Sequence, residues 1–187
     1  MSGLRPAVFL DRDGVLNEWA GPHAYVRTVD ELRLLPGIGE AAAALARAGY
    51  VLLVVSNQRG VARGLVEPAA LAAIEERIQA ALEPAGARIA GFYYCTHDLD
   101  AGCDCRKPAP GLVLRAAGEH GIDLGASALV GDDETDVQAG RAAGVLTVRV
   151  GPERESSGAD LIAADLPAGA AAILAQARPA ARSISSA

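Results

Sequence analysis

Ala7-Val8-Phe9-Leu10-Asp11-Arg12-Asp13-Gly14 is a short apolar run that ends in a loop carrying two carboxylates and a glycine. Four consecutive apolar residues bounded by charge read as a strand buried on both faces, which puts Asp11 and Asp13 at its C-terminal mouth. Outward from this stretch the pattern repeats. Tyr50-Val51-Leu52-Leu53-Val54-Val55 is continuous, aliphatic and uncharged, and runs into Ser56-Asn57-Gln58-Arg59-Gly60. Ile89 to Tyr94 reads as a third strand, and Ser127 to Val130 as a fourth that enters Gly131-Asp132-Asp133-Glu134-Thr135-Asp136. Val145 to Val150 follows as a fifth, with a weaker one at Leu161-Ile162.

Helical segments alternate with these strands. Glu40 to Ala48 is closed by Gly49, and Pro68 to Leu82 presents Leu71, Ile74, Ile78 and Leu82 at helical spacing. Further helices are expected over Gly111 to His120, Val137 to Ala143 and Ala168 to Ala177. Asn17 to Pro36 reads as a loop with a turn at Gly21-Pro22 and a short extended piece at Tyr25-Val26. Such alternation predicts an α/β fold with a doubly wound, mainly parallel sheet and right-handed crossovers. In such sheets the polar groups beyond the strand C-termini gather in one crevice, where ligands bind.

A length of 187 residues suits one α/β core and is short for two. Hydrophobic residues reach 51% but aromatic ones only 4%, so the core is expected to be aliphatic, with Ala-rich helices lying close to the sheet. The net charge of −6 supplies no basic field for a nucleic-acid backbone. No stretch approaches the roughly 20 apolar residues that span a bilayer, and Arg5-Pro6 and Asp11 interrupt the first apolar segment too early for a secretory signal, so a cytoplasmic location is expected. The three cysteines, Cys95, Cys103 and Cys105, form a poor disulfide framework and a good metal pattern.

The chemistry gathers at strand ends. Two close carboxylates such as Asp11 and Asp13 repel unless a proton or cation separates them, and magnesium favours oxygen-rich surroundings while also binding phosphate. Asp132 and Asp136 supply a second acidic pair beyond another strand. Isolated acidic residues near turns often only cap helices, but two pairs at two strand ends favour a hard-cation site. Lys107 offers a compact positive charge for phosphate, and Ser56 and Asn57 offer hydrogen-bond donors. Cys95-Thr96-His97 followed by Cys103-Asp104-Cys105 presents three thiolates and one imidazole, a tetrahedral zinc set with all four positions filled by protein and hence structural.

Four spaced segments carry a family resemblance: Phe9-Leu10-Asp11-Arg12-Asp13-Gly14-Val15-Leu16-Asn17, Ser56-Asn57-Gln58-Arg59-Gly60, Cys105-Arg106-Lys107-Pro108, and Val130-Gly131-Asp132 through Asp136. Together with the cysteine cluster they resemble the haloacid dehalogenase-like phosphatase superfamily, in its bacterial heptose-bisphosphate and histidinol-phosphate phosphatase branch. The resemblance implies a Rossmann-like core over residues 1–178 with a zinc loop at 95–105, and residues 179–187 are expected to be a disordered tail. It implies that Asp11 is the nucleophile and Asp13 the general acid and then base, that Lys107 steadies phosphate and Asp11, and that Ser56 binds phosphate. Magnesium is implied on the Asp11 side chain, the Asp13 backbone carbonyl and Asp132, with Asp133 and Asp136 supporting the acidic loop. Asp133 stands where many members of the branch have Lys.

The intervals after Asn17 and Gly60 are too short for a large cap domain. A partly open pocket is therefore expected, shaped by His23, Tyr25, Arg59 and Arg106. The expected substrate is a small phosphorylated sugar: by resemblance, heptose 1,7-bisphosphate losing its C7 phosphate, with Arg59 or Arg106 holding the second phosphate. Histidinol phosphate, a broader set of sugar phosphates, and a noncatalytic zinc-stapled binding protein are the alternatives. A monomer is the default.

Overall fold

In the computed structural model, which describes residues 3–21, 24–151 and 158–176, the strands are Ala7–Leu10 (β1), Val51–Asn57 (β2), Gly91–Cys95 (β3), Ala128–Gly131 (β4), Leu146–Val150 (β5) and Leu161–Ala163 (β6). The helices are Ile38–Arg47 (α1), Pro68–Leu82 (α2), Gly111–His120 (α3), Glu134–Ala143 (α4) and Leu166–Gln176 (α5). All strand pairs are parallel, in the order β3-β2-β1-β4-β5-β6. Because β1 lies between β2 and β4, the chain reverses its winding there, and the crevice opens where β1 and β4 end.

The two-residue period of the strands divides the core into two layers. Val8 and Leu10 of β1 face one way with Leu52, Val54 and Val130, against α1, α2 and α5. Ala7 and Phe9 face the other way with Leu53, Val55 and Leu129, against α3 and the end of α4. Burial on both faces is why these strands read as unbroken apolar runs. In α2, Leu71, Ile74, Ile78 and Leu82 are the buried positions, as their spacing predicts.

Several boundaries differ from expectation by one to three residues, two of them for evident physical reasons. β2 runs on to Asn57 because Ser56 and Asn57 pair with Tyr94 and Cys95 of β3, so these polar residues are strand rather than loop. α4 begins at Glu134, three residues before the expected Val137, because Asp133 and Asp136 form a capping box. The Asp133 side chain accepts from Thr135 N at 2.8 Å, and Asp136 Oδ2 accepts from Asp133 N at 3.2 Å. No strand forms at Tyr25-Val26; the loop is held instead by bridges of Asn17 to Asp13 and Leu34, and by a 3-10 turn at Val29–Glu31. No large cap interrupts the sheet, and no helix among the described residues is long and apolar enough to cross a membrane. The tail at 179–187 lies outside the described residues.

Candidate active site and metal centres

Asp11 follows β1, Asp132 follows β4, and Lys107 arrives from the segment before α3. All three line one cleft of about 710 Å³. The Lys107 ammonium is buried, 2.9 Å from Asp11 Oδ1 and 3.0 Å from the Val55 carbonyl oxygen, and in direct contact with Asp136 Oδ1. Burial alone pulls a lysine down; the Asp11 and Asp136 carboxylates outweigh it and hold Lys107 above its ordinary range. Burial pushes Asp136 up to about 6, against the opposing pull of the Lys107 ammonium.

Carboxylate oxygens of Asp11, Asp132 and Asp136 all lie within 4.8 Å of one another. Three acids against one ammonium leave the cluster short of positive charge. Asp132 registers the deficit: burial, then the neighbouring Asp11 and Asp136, push it up to about 7. Two glycines make this crowding feasible. A Cβ on Gly14, whose φ is +82°, would collide with the Asp132 carboxylate, and one on Gly131 would collide with Asp136. An all-oxygen, charge-deficient donor set fits a hard divalent cation.

Asp13 is held differently. Its Oδ1 accepts from Asn17 Nδ2 at 2.8 Å and from Arg12 Nη2 at 2.9 Å, while Oδ2 accepts from Arg12 Nη2 at 3.0 Å and Gln58 Nε2 at 2.8 Å. Arg12, Asn17 and Gln58 are almost completely buried. All three lie inside segments that the sequence marks as chemical, but nothing in their spacing says that they converge on Asp13. Ser56 is buried beside them and its Oγ accepts from Gln58 Nε2 at 3.1 Å.

The remaining sequence-predicted residues divide. Tyr25 and Arg106 line the cleft, and a guanidinium nitrogen of Arg106, Nη1, is buried with no hydrogen-bond partner. Asn57 also lines it, yet its amide grips the backbone of Lys107: Oδ1 accepts from Lys107 N and Nδ2 donates to Lys107 O, each at 3.1 Å. Asp133 borders the cleft while its side chain caps α4. Arg59 is not among the lining residues; its Nε pairs with Asp98 Oδ1 at 2.5 Å, which turns it toward the cysteine loop. His23 lies outside the described residues. Among the lining residues that the sequence does not single out, two carry side chains suited to a ligand. Trp19 is 59% exposed at the cleft. Arg149 on β5 has an Nε without a partner, and its nearest carboxylate contact, Glu134, is 3.7 Å away.

The cysteine cluster assembles on the end of β3. Cys95 Sγ lies 3.6 Å from His97 Nδ1 and 3.6 Å from Cys103 Sγ, and His97 Nδ1 lies 3.2 Å from Cys105 Sγ. Zinc bonds of about 2.0–2.3 Å in a tetrahedron put neighbouring ligand atoms about 3.5–3.8 Å apart, so a cluster whose four atoms all lie within 4.8 Å of one another suits one zinc ion after small adjustments. No disulfide links the cysteines.

Comparison with known proteins agrees with this geometry. A HAD-hydrolase-like family model matches residues 104–176. The D-glycero-beta-D-manno-heptose-1,7-bisphosphate 7-phosphatase of Vibrio cholerae is 41% identical over 150 residues, which is 76% of this chain and 79% of that protein. The protein of the same name from Escherichia coli K12 is 39% identical over 179 residues, covering 87% of this chain and 92% of that one. The crystal structure of D,D-heptose 1,7-bisphosphate phosphatase from B. bronchiseptica, complexed with magnesium and phosphate, has a TM-score of 0.81 at 34% identity, over 92% of this chain and 99% of that chain. Similarity of this extent, over a parallel sheet whose switch point carries the acidic cleft, means that the chain belongs to the D-glycero-D-manno-heptose-1,7-bisphosphate 7-phosphatase family of haloacid dehalogenase-like phosphatases.

Proposed function

We propose that this enzyme removes the C7 phosphate of D-glycero-D-manno-heptose 1,7-bisphosphate, in the β-anomeric form, through an aspartyl-phosphate on Asp11. The observation that carries the reading is the pairing of Asp11 with the buried Lys107 at 2.9 Å, at the mouth of a cleft that also holds Asp13 and Asp132. The names of the similar proteins support the heptose and the β anomer.

In the first step the Asp11 carboxylate attacks phosphorus, the bond from phosphorus to the sugar oxygen breaks, and Asp13 gives its proton to that oxygen. In the second, Asp13 takes a proton from water as the water oxygen attacks phosphorus. The acyl phosphate then breaks, and inorganic phosphate leaves with the Asp11 carboxylate restored. Ser56 donates to a phosphate oxygen, and Lys107 offsets charge on the transferring group. Asp11, the Asp13 backbone carbonyl and Asp132 would hold magnesium, which supplies charge neutralisation and orientation of the phosphate. Asp136 fixes Lys107, and Asp133 fixes the start of α4.

Arg106 and Arg149, each with an unpartnered guanidinium nitrogen in the cleft wall, are the groups for the phosphate that is not cleaved. Cys95, His97, Cys103 and Cys105 hold a structural zinc. Cysteines that form no disulfide suit a reducing compartment, which goes with a cytoplasmic enzyme.

The test is magnesium-dependent phosphate release from the α and β anomers and from histidinol phosphate, compared as kcat/KM. Preference for the β anomer is expected; preference for histidinol phosphate would overturn the substrate assignment.

A further inference from the structure

Gln58 is the first residue beyond β2, and its backbone N donates to Cys95 O at 2.8 Å, extending the β2–β3 ladder by one bond. Its side chain is 2% exposed and points into the cleft wall rather than to solvent. The amide nitrogen donates twice, to Asp13 Oδ2 at 2.8 Å and to Ser56 Oγ at 3.1 Å. The other two side chains on the Asp13 carboxylate, Arg12 and Asn17, belong to the same loop as Asp13. Gln58 is therefore the donor that ties this carboxylate to a different strand, and to the strand that carries Ser56.

Each of its two hydrogen bonds has a chemical consequence. A carboxylate anchored only within its own loop moves with that loop, whereas one tied to β2 keeps a fixed position relative to phosphate bound at Ser56. A hydroxyl oxygen that accepts from Gln58 must direct its own hydrogen elsewhere, and for Ser56 this aims it toward the cleft. We infer that Gln58 is a positioning residue that sets Asp13 for proton transfer to the leaving oxygen and, through the same amide, orients the Ser56 hydroxyl at the phosphate. The inference rests on the roles given above to Asp13 and Ser56.

A sugar oxygen leaves as an alcohol and needs the proton of Asp13; p-nitrophenolate leaves at neutral pH without one. The value of kcat/KM covers the steps through phosphoryl transfer to Asp11, so it isolates the half-reaction in which Asp13 is the acid. Replacing Gln58 by Met keeps the volume but removes both donors. Gln58→Glu keeps the shape and replaces the donor with an acceptor, and serves where the Met variant fails to fold. Folding is checked by the thermal midpoint of each variant.

The expected result is a loss of about 5-fold in kcat/KM for p-nitrophenyl phosphate, which reports the Ser56 contact alone, and of about 100-fold for heptose bisphosphate, which needs both contacts. Equal losses on the two substrates would reduce Gln58 to phosphate holding or packing, and unchanged kcat/KM on both would remove it from the site; either overturns the inference. The parent enzyme separates this claim from the substrate assignment. If the parent does not turn over heptose bisphosphate, that assignment fails, and the Gln58 comparison proceeds with a sugar phosphate that it does hydrolyse.

Discussion

Asn57 holds Lys107 by its backbone, accepting from Lys107 N and donating to Lys107 O at 3.1 Å each. The contact joins the end of β2 to the segment between the cysteine cluster and α3, and so fixes the stem of the ammonium that meets Asp11. A residue of this type at a strand end reads as a phosphate donor; here its amide also holds the backbone of the buried Lys107. Asn57→Leu should lower stability by about 1–3 kcal/mol, because a buried peptide group loses its partners, and should lower kcat with it. Asn57→Asp keeps the acceptor and loses the donor, so it should fall between parent and Leu variant. Urea unfolding with parallel kinetics checks both; a Leu variant with parental stability would contradict the clamp.

Removing the ammonium should have two effects of opposite sign. Lys107→Met leaves Asp11 and Asp136 buried without their counter-charge, which is expected to cost about 3–5 kcal/mol in magnesium-free buffer and to abolish turnover. The same surplus of negative charge should tighten magnesium binding. Thermal midpoints across a magnesium titration read both quantities, and weaker magnesium binding by the variant would contradict the charge accounting.

Asp132 makes magnesium affinity depend on pH. Burial and the adjacent carboxylates push it up to about 7, above an unfolded carboxylate near ~3.9. A raised carboxylic acid disfavours the metal-free fold progressively as pH rises through this window, because the folded state resists the charge that the unfolded chain accepts. Magnesium requires that charge and compensates it. Apparent affinity should therefore drop up to about 10-fold per pH unit below about 7 and level off above it, while the thermal shift given by magnesium grows with pH. Isothermal titration at several pH values measures the first, and a flat profile would argue against a proton displaced from Asp132.

Metal at the cysteine cluster, if zinc fills it as proposed, should matter to catalysis although none of the four ligand residues lines the cleft. Cys105 stands in the chain two residues before Lys107, and Gly111 N is tied to Asp104 O at 3.1 Å, so the cluster frames the segment that delivers Lys107 to Asp11. Cys103→Ser or strong chelation should lower bound zinc from one ion per chain, reduce kcat and lower the thermal midpoint. Metal analysis beside kinetics provides the check; full zinc content in Cys103→Ser would exclude Cys103 as a ligand.

Much of this is legible in the sequence. Runs such as Tyr50 to Val55 announce buried parallel strands because both faces are covered, and the stripe Leu71, Ile74, Ile78 and Leu82 announces its helix. The acidic and cysteine clusters were legible because their residue types have few other uses at such density. The partners of Asp13 were not, because convergence of Arg12, Asn17 and Gln58 depends on how two loops meet across the sheet. The early start of α4 escaped because Asp133 and Asp136 were read as loop acids, when their side chains complete a capping box. Which arginine borders the cleft is set by strand register and by competing acids: Arg149 lines it while Asp98 holds Arg59, and periodicity encodes neither.

The central claim is that Asp11 carries the phosphoryl group. The direct measurement is mass spectrometry of the Asp13→Asn variant, quenched in acid after mixing with magnesium and p-nitrophenyl phosphate. Its leaving group needs no proton, so the first step proceeds, and without the Asp13 base the intermediate accumulates. One phosphoryl group on the peptide that contains Asp11, absent when Asp11 is also changed to Asn, is the predicted result. A burst of p-nitrophenolate with no phosphorylated peptide, or with the phosphoryl group on another residue, would contradict the account.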